Sequence, residues 1–469
     1  MASNTLAHRG IVALSFAAVL LLFAGTALAA TGGLTQPSGA GGCVSDTGLG
    51  PCADGHGLAG ANVVAVSPDG ENVYVASYNN NGVARLNRNT TTGALTQPSG
   101  PAGCISQIGA GPCADGHALS GVQSVAVSPD GGNVYAATYS NAVVRLNRNT
   151  TTGALTQPAG AAGCISQTGV GPCADGHGLK SPVSVMVSSD GKSVYVASPG
   201  GDDVARFNRN TTTGALSQPA GTAGCVSETG AGPCADGHAL SSPVDLTGSP
   251  DGKSVYVAST PSNAAVRLDR NTTTGALTEP SGTDGCISQT GAGGCVMAPQ
   301  LSQFGSPILN PGFTSPSSVA SSADGKSVYV ASDSGGVARL NRNTTTGAVT
   351  QPANAAGCIL QDAASNGIPC ADAHGLRNPA SAAVSPDGKN VYVTSAGSDG
   401  VARLNRNTTT GALTQPAGTG GCTNETGSND CADGHALRDP TSVAVSADGK
   451  SVYLASFLSD AVARFNRTP

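Results

Sequence analysis

Hydrophobic and polar positions repeat along this chain with a period of about 60 residues, a spacing typical of repeat architectures. Each repeat contains a version of Ser-Pro-Asp-Gly-Lys-x-Val-Tyr-Val-Ala-Ser, in which a polar turn separates two short apolar runs rich in valine. The turn aspartates are Asp69, Asp130, Asp190, Asp251, Asp324, Asp387 and Asp448. Seven related units therefore have to be explained by one fold.

The second unit illustrates the pattern inside a repeat. Residues 124–128, 134–137, 143–147 and 154–157 are short runs typical of β-strands, and Pro129, Asp130 and Gly131 form a turn between the first two. Each unit is therefore predicted to be a four-stranded antiparallel meander, which cannot bury both of its faces alone.

Seven such units predict an all-β fold, a seven-bladed β-propeller of four-stranded antiparallel blades. The last unit ends after its third strand, whereas residues 31–37 match residues 92–98, which form the fourth strand of another unit. The N-terminal strand is therefore predicted to complete the last blade and close the ring.

The repeat around Tyr-Val-Ala-Ser resembles that of the YVTN-type, lactonase-like seven-bladed propellers, over nearly the whole chain after residue 30. The resemblance implies the same fold. It does not imply one activity, because that superfamily includes lactonases, lyases, surface proteins and binding modules. No motif in this chain matches the family's catalytic residues, so none is transferred.

The first 29 residues have the pattern of a secretory signal peptide, with His8 and Arg9 before an apolar run and Ala27-Leu28-Ala29 at the end. The apolar run is too short for a membrane span. We therefore expect residues 30–469 to form the propeller domain of a secreted or cell-surface protein. The net charge of −6 argues against a nucleic-acid partner.

The 14 cysteines occur as two per unit, in the connector between the fourth strand and the next unit. In an exported chain this pattern predicts one disulfide per connector. Two cysteines and a nearby histidine are also typical of zinc ligands, but a fourth ligand is missing, so we expect no metal and no cofactor.

An Asp-x-His element follows the second cysteine of most connectors, and these elements are predicted to cross one face near the mouth of the central channel. They would then place a ring of imidazoles at one rim, either as a ligand or metal site or as repeated scaffold. We favour scaffold, since a catalytic site needs different groups at one point. The histidines are His56, His117, His177, His238, His374 and His435.

The best guide to a specific site is where the units differ. Asp245 is the only carboxylate in a predicted innermost strand, and its counterparts are mostly serine. The following connector is longer and replaces the Asp-His element with an apolar segment. We therefore predict a ligand site formed by Asp245, Met297, Leu301, Phe304 and Phe313. The alternative is sequence drift in one unit and a loop that packs on itself.

Two functions fit these patterns. The first is a binding or scaffold module whose connector face takes a small molecule, a carbohydrate or a protein. The second is a lactonase-like hydrolase. The chain has only four glutamates, none in a predicted innermost strand, so no catalytic residue can be assigned and binding is favoured.

Six Asn-Thr-Thr turns on the face opposite the connectors match the N-glycosylation pattern.

Overall fold

The computed structural model describes residues 31–48, 50–169, 171–299, 301–303, 306–308 and 313–469. The strands form seven six-stranded sheets and one separate hairpin. The innermost strands of successive sheets contact one another, and the last contacts the first. The expected all-β seven-bladed propeller is therefore confirmed. The predicted signal peptide lies outside the described residues, and no helix among those described is long and apolar enough to cross a membrane.

Blades 1 to 7 are numbered here by their innermost strands. These are Ala61–Val66, Val122–Val127, Ser184–Val187, Pro243–Gly248, Pro316–Ser321, Pro379–Val384 and Pro440–Val445. The second strands are Asn72–Ser77, Asn133–Thr138, Ser193–Ser198, Ser254–Ser259, Ser327–Ser332, Asn390–Ser395 and Ser451–Ser456. The third strands are Gly82–Arg88, Ala142–Arg148, Asp203–Arg209, Ala264–Arg270, Gly336–Arg342, Gly400–Arg406 and Ala461–Arg467.

The outer part of each blade is more elaborate than the single fourth strand expected. A two-residue strand pairs with one end of the third strand, at Leu95–Thr96, Leu155–Thr156, Leu216–Ser217, Leu277–Thr278, Val349–Thr350, Leu413–Thr414 and, for blade 7, Leu34–Thr35. An outer strand pairs with its other end, at Cys104–Gln107, Cys164–Ser166, Cys225–Ser227, Cys286–Ser288, Cys358–Gln361, Cys422–Asn424 and, for blade 7, Cys43–Ser45.

Short 3-10 turns connect these two strands, at Gly39–Gly41, Gly100–Ala102, Gly160–Ala162, Gly221–Ala223, Gly282–Gly285, Asn354–Ala356 and Gly418–Gly420. Further 3-10 turns are Ala292–Gly294 and Ala396–Ser398, and the separate hairpin pairs Leu301–Gln303 with Ser306–Ile308.

Much of each predicted connector is β-sheet, because the outer strand and one further strand both lie within it. In six blades an edge strand runs parallel to the outer strand, at Ala114–Gly116, Ala174–Asp175, Ala235–Asp236, Val296–Met297, Ala371–Ala373 and Ala432–Asp433, and in blade 7 it is Ala53–Asp54. Parallel neighbours normally need a crossover of about a dozen residues or more. Here a disulfide holds each short link closed.

All seven disulfides join cysteines 9 or 12 residues apart, within one blade. The expected pairing inside each connector is thus confirmed, and such bridges are typical of an oxidising compartment.

The polar turn between the first two strands is held by its own side chains. In blade 1 the Ser67 hydroxyl donates to Asp69 Oδ1 at 2.5 Å, and the same oxygen accepts the Glu71 N–H at 3.0 Å. Gly70 has a φ of 71°, which a side chain would disfavour. These turns lie on one face of the disc, which we call the hairpin face. The innermost strands begin on the other face, which we call the connector face.

One buried arginine at the end of each third strand crosses to the preceding blade. Arg148 Nε donates to Tyr74 Oη at 2.7 Å, and Arg148 Nη2 donates to the turn carboxylate of Asp69 at 2.6 Å. Tyr74 in turn donates to the Gly153 carbonyl at 2.7 Å. We call these residues the junction arginines: Arg88, Arg148, Arg209, Arg270, Arg342, Arg406 and Arg467.

The ring closes through the same contacts and through the N-terminal segment. Arg88 of blade 1 binds Asp448 and Tyr453 of blade 7. Leu34 and Thr35 pair with the last strand, Ala461–Arg467, and Cys43–Ser45 pairs with it further along. The segment that the sequence assigned to the last blade lies in that blade.

Deleting residues 31–37 should lower the stability of the ring. The deletion removes the strand pairs with Arg467 and Asn466 and the Gly32 carbonyl that accepts the Tyr392 hydroxyl at 2.7 Å. We expect the free energy of unfolding in urea to fall by about 3 kcal/mol, because several hydrogen bonds of about 1 kcal/mol each are lost. The matched control is a chain beginning at residue 30. An unchanged unfolding midpoint would contradict closure by this segment.

Candidate functional site

The mouth of the central channel on the connector face is a cavity of about 280 Å³. Each blade contributes two neighbouring residues at or just before the start of its innermost strand, so all seven blades take part. The lining residues are Asn62, Val63, Gln123, Ser124, Val183, Ser184, Val244, Asp245, Ser317, Ser318, Ala380, Ser381, Thr441 and Ser442. Nine of these fourteen residues carry a hydroxyl or amide side chain and four are valine or alanine, so the wall alternates polar and apolar groups. Asp245 is the only charged side chain among these lining residues.

Four hydrogen bonds hold the carboxylate of Asp245. Oδ1 accepts from the Ser184 hydroxyl at 3.0 Å and from the Leu246 N–H at 2.9 Å. Oδ2 accepts from the Ser318 hydroxyl and the Val319 N–H, both at 2.9 Å. Burial raises the pKa of the Asp245 carboxyl, and these donors oppose the rise without reversing it.

Asp245 accepts a hydrogen bond from a backbone N–H of the next blade, as a serine hydroxyl does in other blades. The Ser124 hydroxyl oxygen accepts the Val185 N–H of the next blade at 3.3 Å, and Ser442 accepts the Val64 N–H at 3.2 Å. The longer carboxylate of Asp245 keeps this contact and also reaches one blade back to Ser184. It therefore connects blades 3, 4 and 5 while placing a negative charge in the channel.

The structure does not bring Asp245 together with the apolar loop predicted to flank it. Asp245 is on the innermost strand of blade 4, whereas Met297 is on the edge strand at the opposite side of the same sheet and is 47% exposed. Phe313 is fully buried in the core between blades 4 and 5. Leu301 belongs to the separate hairpin, and Phe304 lies outside the described residues.

The histidines of the repeated element lie in the outer part of the blades rather than at the channel mouth, so the predicted rim is corrected. The His56 N–H donates to Gln97 Oε1 of the next blade at 2.7 Å, and Gln97 Nε2 donates back to the His56 carbonyl at 2.8 Å. The imidazole Nε2 lies 3.3 Å from the Gly100 carbonyl. The glutamines that directly follow the two-residue strands hold His117, His177, His374 and His435 in the same way.

Blade 4 has a glutamate where its neighbours have this glutamine. Glu279 Oε2 accepts the His238 N–H at 2.8 Å, and Oε1 lies 3.2 Å from His238 Nδ1. The side chain is 2% exposed, and this burial raises the pKa of Glu279 to about 8. Cys286 is also close, but its sulfur is bonded to Cys295, so a three-ligand metal site is not available here.

Sequence reasoning missed an aromatic strip on the connector face. Phe457, Tyr78 and Tyr139 follow the second strands of blades 7, 1 and 2, where other blades have proline, threonine, aspartate or alanine. The rings of Tyr78 and Phe457 are 6.4 Å apart, and Tyr78 and Tyr139 both pack beside Gly121. Tyr139 is 59% exposed. Alignment of the units after the second strand would have revealed this difference.

No protein-family model matches the chain, and no curated protein matches it in sequence. Among solved structures it is similar to the periplasmic gluconolactonase PpgL of Pseudomonas aeruginosa, with a TM-score of 0.51 and 18% identity over 78% of this chain and 86% of that chain. It is also similar to the hydrazine synthase of Kuenenia stuttgartiensis, with a TM-score of 0.49 and 16% identity over 87% and 95%. A protein from Lactobacillus plantarum has a TM-score of 0.49 and 16% identity, over 81% of this chain and 86% of that chain. At these identities the likeness concerns the fold alone.

The buried Glu279 should make the stability of the protein fall with rising pH. Its folded-state pKa of about 8 lies above the ordinary value of 4.5. Between these two pH values the native state therefore keeps a proton that the unfolded chain has released. The free energy of unfolding should therefore decrease from about pH 5 to about pH 8. Glu279→Gln restores the side chain of the other blades and should remove this loss, making the variant more stable than the parent by about 3 to 5 kcal/mol above pH 8.

The matched control is Gln218→Glu in blade 3, where Gln218 holds His177 in the same geometry. This change should introduce a second loss of stability over the same pH range. Urea unfolding from pH 4 to pH 9 measures both effects. Identical pH profiles for the parent and Glu279→Gln would show that this carboxyl does not titrate in the native state.

Proposed function

We propose that the protein is a secreted or cell-surface binding module whose ligand site is the channel mouth on the connector face. The observation that carries this proposal is a single carboxylate, Asp245, held inside a ring of hydroxyl and amide side chains. A small concave site that combines apolar walls with fixed polar groups favours binding of one small molecule. The oxidising compartment implied by the seven disulfides supports an extracytoplasmic location.

The chemistry of the wall favours a small, hydroxyl-rich ligand that is neutral or cationic. Asn62, Gln123 and Thr441 can exchange hydrogen bonds with ligand hydroxyls, because each carries donor and acceptor groups. Asp245 is the only formal charge in the lining, so it favours an ammonium group and disfavours an anion. A bound ammonium would act on this carboxylate through its charge and not through a hydrogen bond, because four donors already occupy the two oxygens.

The aromatic strip supports a sugar-like ligand. Tyr78, Tyr139 and Phe457 are contributed by blades 1, 2 and 7, the same blades that place Asn62, Gln123 and Thr441 in the channel wall. Tyrosine and phenylalanine rings offer apolar faces on which a sugar ring can stack. A carbohydrate has apolar faces and hydroxyl edges, and both could be matched on this side of the mouth.

Lactone hydrolysis is the second candidate, and the raised pKa of the Asp245 carboxyl favours it, since general acids and bases commonly have such shifts. The four donors on its two oxygens argue against it, because a general base needs a free lone pair directed at water. We therefore favour binding without turnover.

Three sugars of similar size test the proposal, because they differ mainly in charge. Glucosamine should bind more tightly than glucose, and gluconate should bind least, as measured by calorimetry at pH 7. Asp245→Ser should lower glucosamine affinity about tenfold, to that of glucose, because one charge pair of about 1.4 kcal/mol is lost. Asp245→Ser should still fold, since serine accepts the equivalent N–H in blades 2 and 7.

Two outcomes would contradict the proposal. The first is an affinity for gluconate that exceeds that for glucosamine. The second is saturable hydrolysis of gluconolactone that disappears in Asp245→Ser, which would establish the hydrolase instead. Tyr139→Ser provides a separate test of the aromatic strip: it should weaken glucose and glucosamine equally, because stacking is independent of charge.

A further inference from the structure

The hairpin face differs from the rest of the molecule in charge. Its seven turn aspartates are each paired with a junction arginine, so the two charges of every pair cancel. The remaining acidic groups near the turns are Glu71 and Asp269. Exposed lysines lie beside five of the turns, at Lys192, Lys253, Lys326, Lys389 and Lys450. This face is therefore positive although the whole chain has a net charge of −6.

A second set of arginines adds to this charge. We call them the cleft arginines: Arg85, Arg145, Arg206, Arg339, Arg403 and Arg464. Each lies in the middle of a third strand and is at most 8% exposed. A buried guanidinium normally has a carboxylate partner, because an uncompensated buried charge is costly.

The cleft arginines have only neutral partners among the described residues. Arg85 donates to the Ala102 carbonyl at 2.9 Å, to Asn87 Oδ1 at 2.5 Å and to the Thr152 carbonyl of the next blade. Its Nε–H has no acceptor, and the same is true of the other five. Burial lowers the pKa of the Arg85 guanidinium, and the positive charge of Arg148 adds to this effect.

Blade 4 contains the partner that the other blades lack. There the third strand has Asp269 in place of asparagine, and Arg267 binds it in a fork. Nε donates to Oδ1 at 2.9 Å and Nη2 donates to Oδ2 at 2.8 Å. The Asp269 side chain is 41% exposed, so the position over the guanidinium is open to solvent. The repeat thus includes one example of how this arginine binds a carboxylate.

The guanidiniums of blades 1 and 2 line clefts between neighbouring blades. The cleft between blades 1 and 2 has a volume of about 520 Å³ and is lined by Arg85, Arg88, Asn87 and threonines of the turns of both blades, with Glu71 as its one acidic residue. The cleft containing Arg145 has a volume of about 510 Å³ and is also lined by Asn147, by Arg209 with its partner Asp130, and by threonines of the blade 3 turn. Both are large enough for a carboxylate-bearing group, and their threonine hydroxyls can donate to it.

We propose that the six cleft arginines form repeated binding sites for carboxylate groups, and that the hairpin face binds an acidic polymer carrying such groups. A ligand carboxylate would take the position that Asp269 occupies in blade 4, with the asparagine amide turned aside. Arginine is suited to this because its planar fork matches a carboxylate in two hydrogen bonds.

The ring arrangement favours a polymer over a single anion. Each cleft offers one guanidinium that is at most 8% exposed, and a carboxylate has to turn the asparagine amide aside to reach it. A single carboxylate should therefore bind weakly. Several linked carboxylates that reach adjacent clefts gain affinity without new contacts, because later binding steps are intramolecular. The exposed lysines would attract such a polymer over a longer range.

Nuclear magnetic resonance of the arginine Nε–H groups in the full ¹⁵N-labelled chain tests the sites directly. Sodium acetate is added at constant ionic strength, with sodium chloride as the control. We expect six Nε–H signals to shift saturably with acetate only, while the Arg267 signal stays in place because Asp269 already occupies its site. Signals that respond equally to chloride, or that do not move with acetate, would overturn the proposal.

Two substitutions exchange residues between blades and so keep the fold. Asn87→Asp should abolish the acetate response of Arg85, and Asp269→Asn should create one at Arg267. Failure of either signal to change its behaviour would contradict the assignment. In a second titration, an oligogalacturonate should bind more tightly than acetate at equal carboxylate concentration. An inorganic polyphosphate of equal charge is titrated in the same way. If it binds more tightly than the oligogalacturonate, the hairpin face does not select carboxylates and the proposal is wrong.

Discussion

The buried junction arginine is the interaction on which the rest of this structure depends. Each blade is a twisted sheet whose two faces have to be covered by its neighbours, and apolar valine and alanine side chains can do this in more than one alignment. The arginine fixes the alignment, because its Nε must meet a tyrosine hydroxyl and its Nη2 a turn carboxylate of the preceding blade. The Tyr and Asp of the repeated sequence motif are thus explained by one contact, repeated at all seven junctions.

Such a repeated framework leaves few places for a unique site, and in this chain most of the departures fall in blade 4. Asp245 replaces serine in the channel, Glu279 replaces a glutamine that holds a histidine, and Asp269 replaces asparagine beside a buried arginine. Each change places a carboxylate where the other blades have a neutral side chain. The pKa values of Asp245 and Glu279 are raised by loss of solvent, whereas Asp269 is neutralised by Arg267.

The ring and its blades could be predicted from the sequence because turn chemistry and apolar alternation are local properties. Strand ends in the second unit were placed within about two residues. The outer sheet was missed because Cys164–Ser166 and Ala174–Asp175 are too short to stand out, and they pair beside a disulfide between Cys164 and Cys173 that strand patterns do not include. The histidine positions were misplaced for a different reason. The spacing of residues along the sequence does not say how far a residue lies from the central axis of the propeller.

Asp245 was found by comparing units, because it differs from the serine of most other units. Its four hydrogen-bond donors come from three blades, so they could not be predicted from its neighbours in sequence.

A double-mutant cycle at one junction tests most directly whether the arginine holds the blades together. Arg148→Met, Asp69→Asn and the combined variant are compared with the parent by urea unfolding at pH 7 and low salt. The account predicts a coupling free energy of about 1 to 2 kcal/mol between the two substitutions, because each one alone already breaks the inter-blade pair. Additive effects within about 0.5 kcal/mol would contradict it, since the two side chains would then stabilise the ring independently.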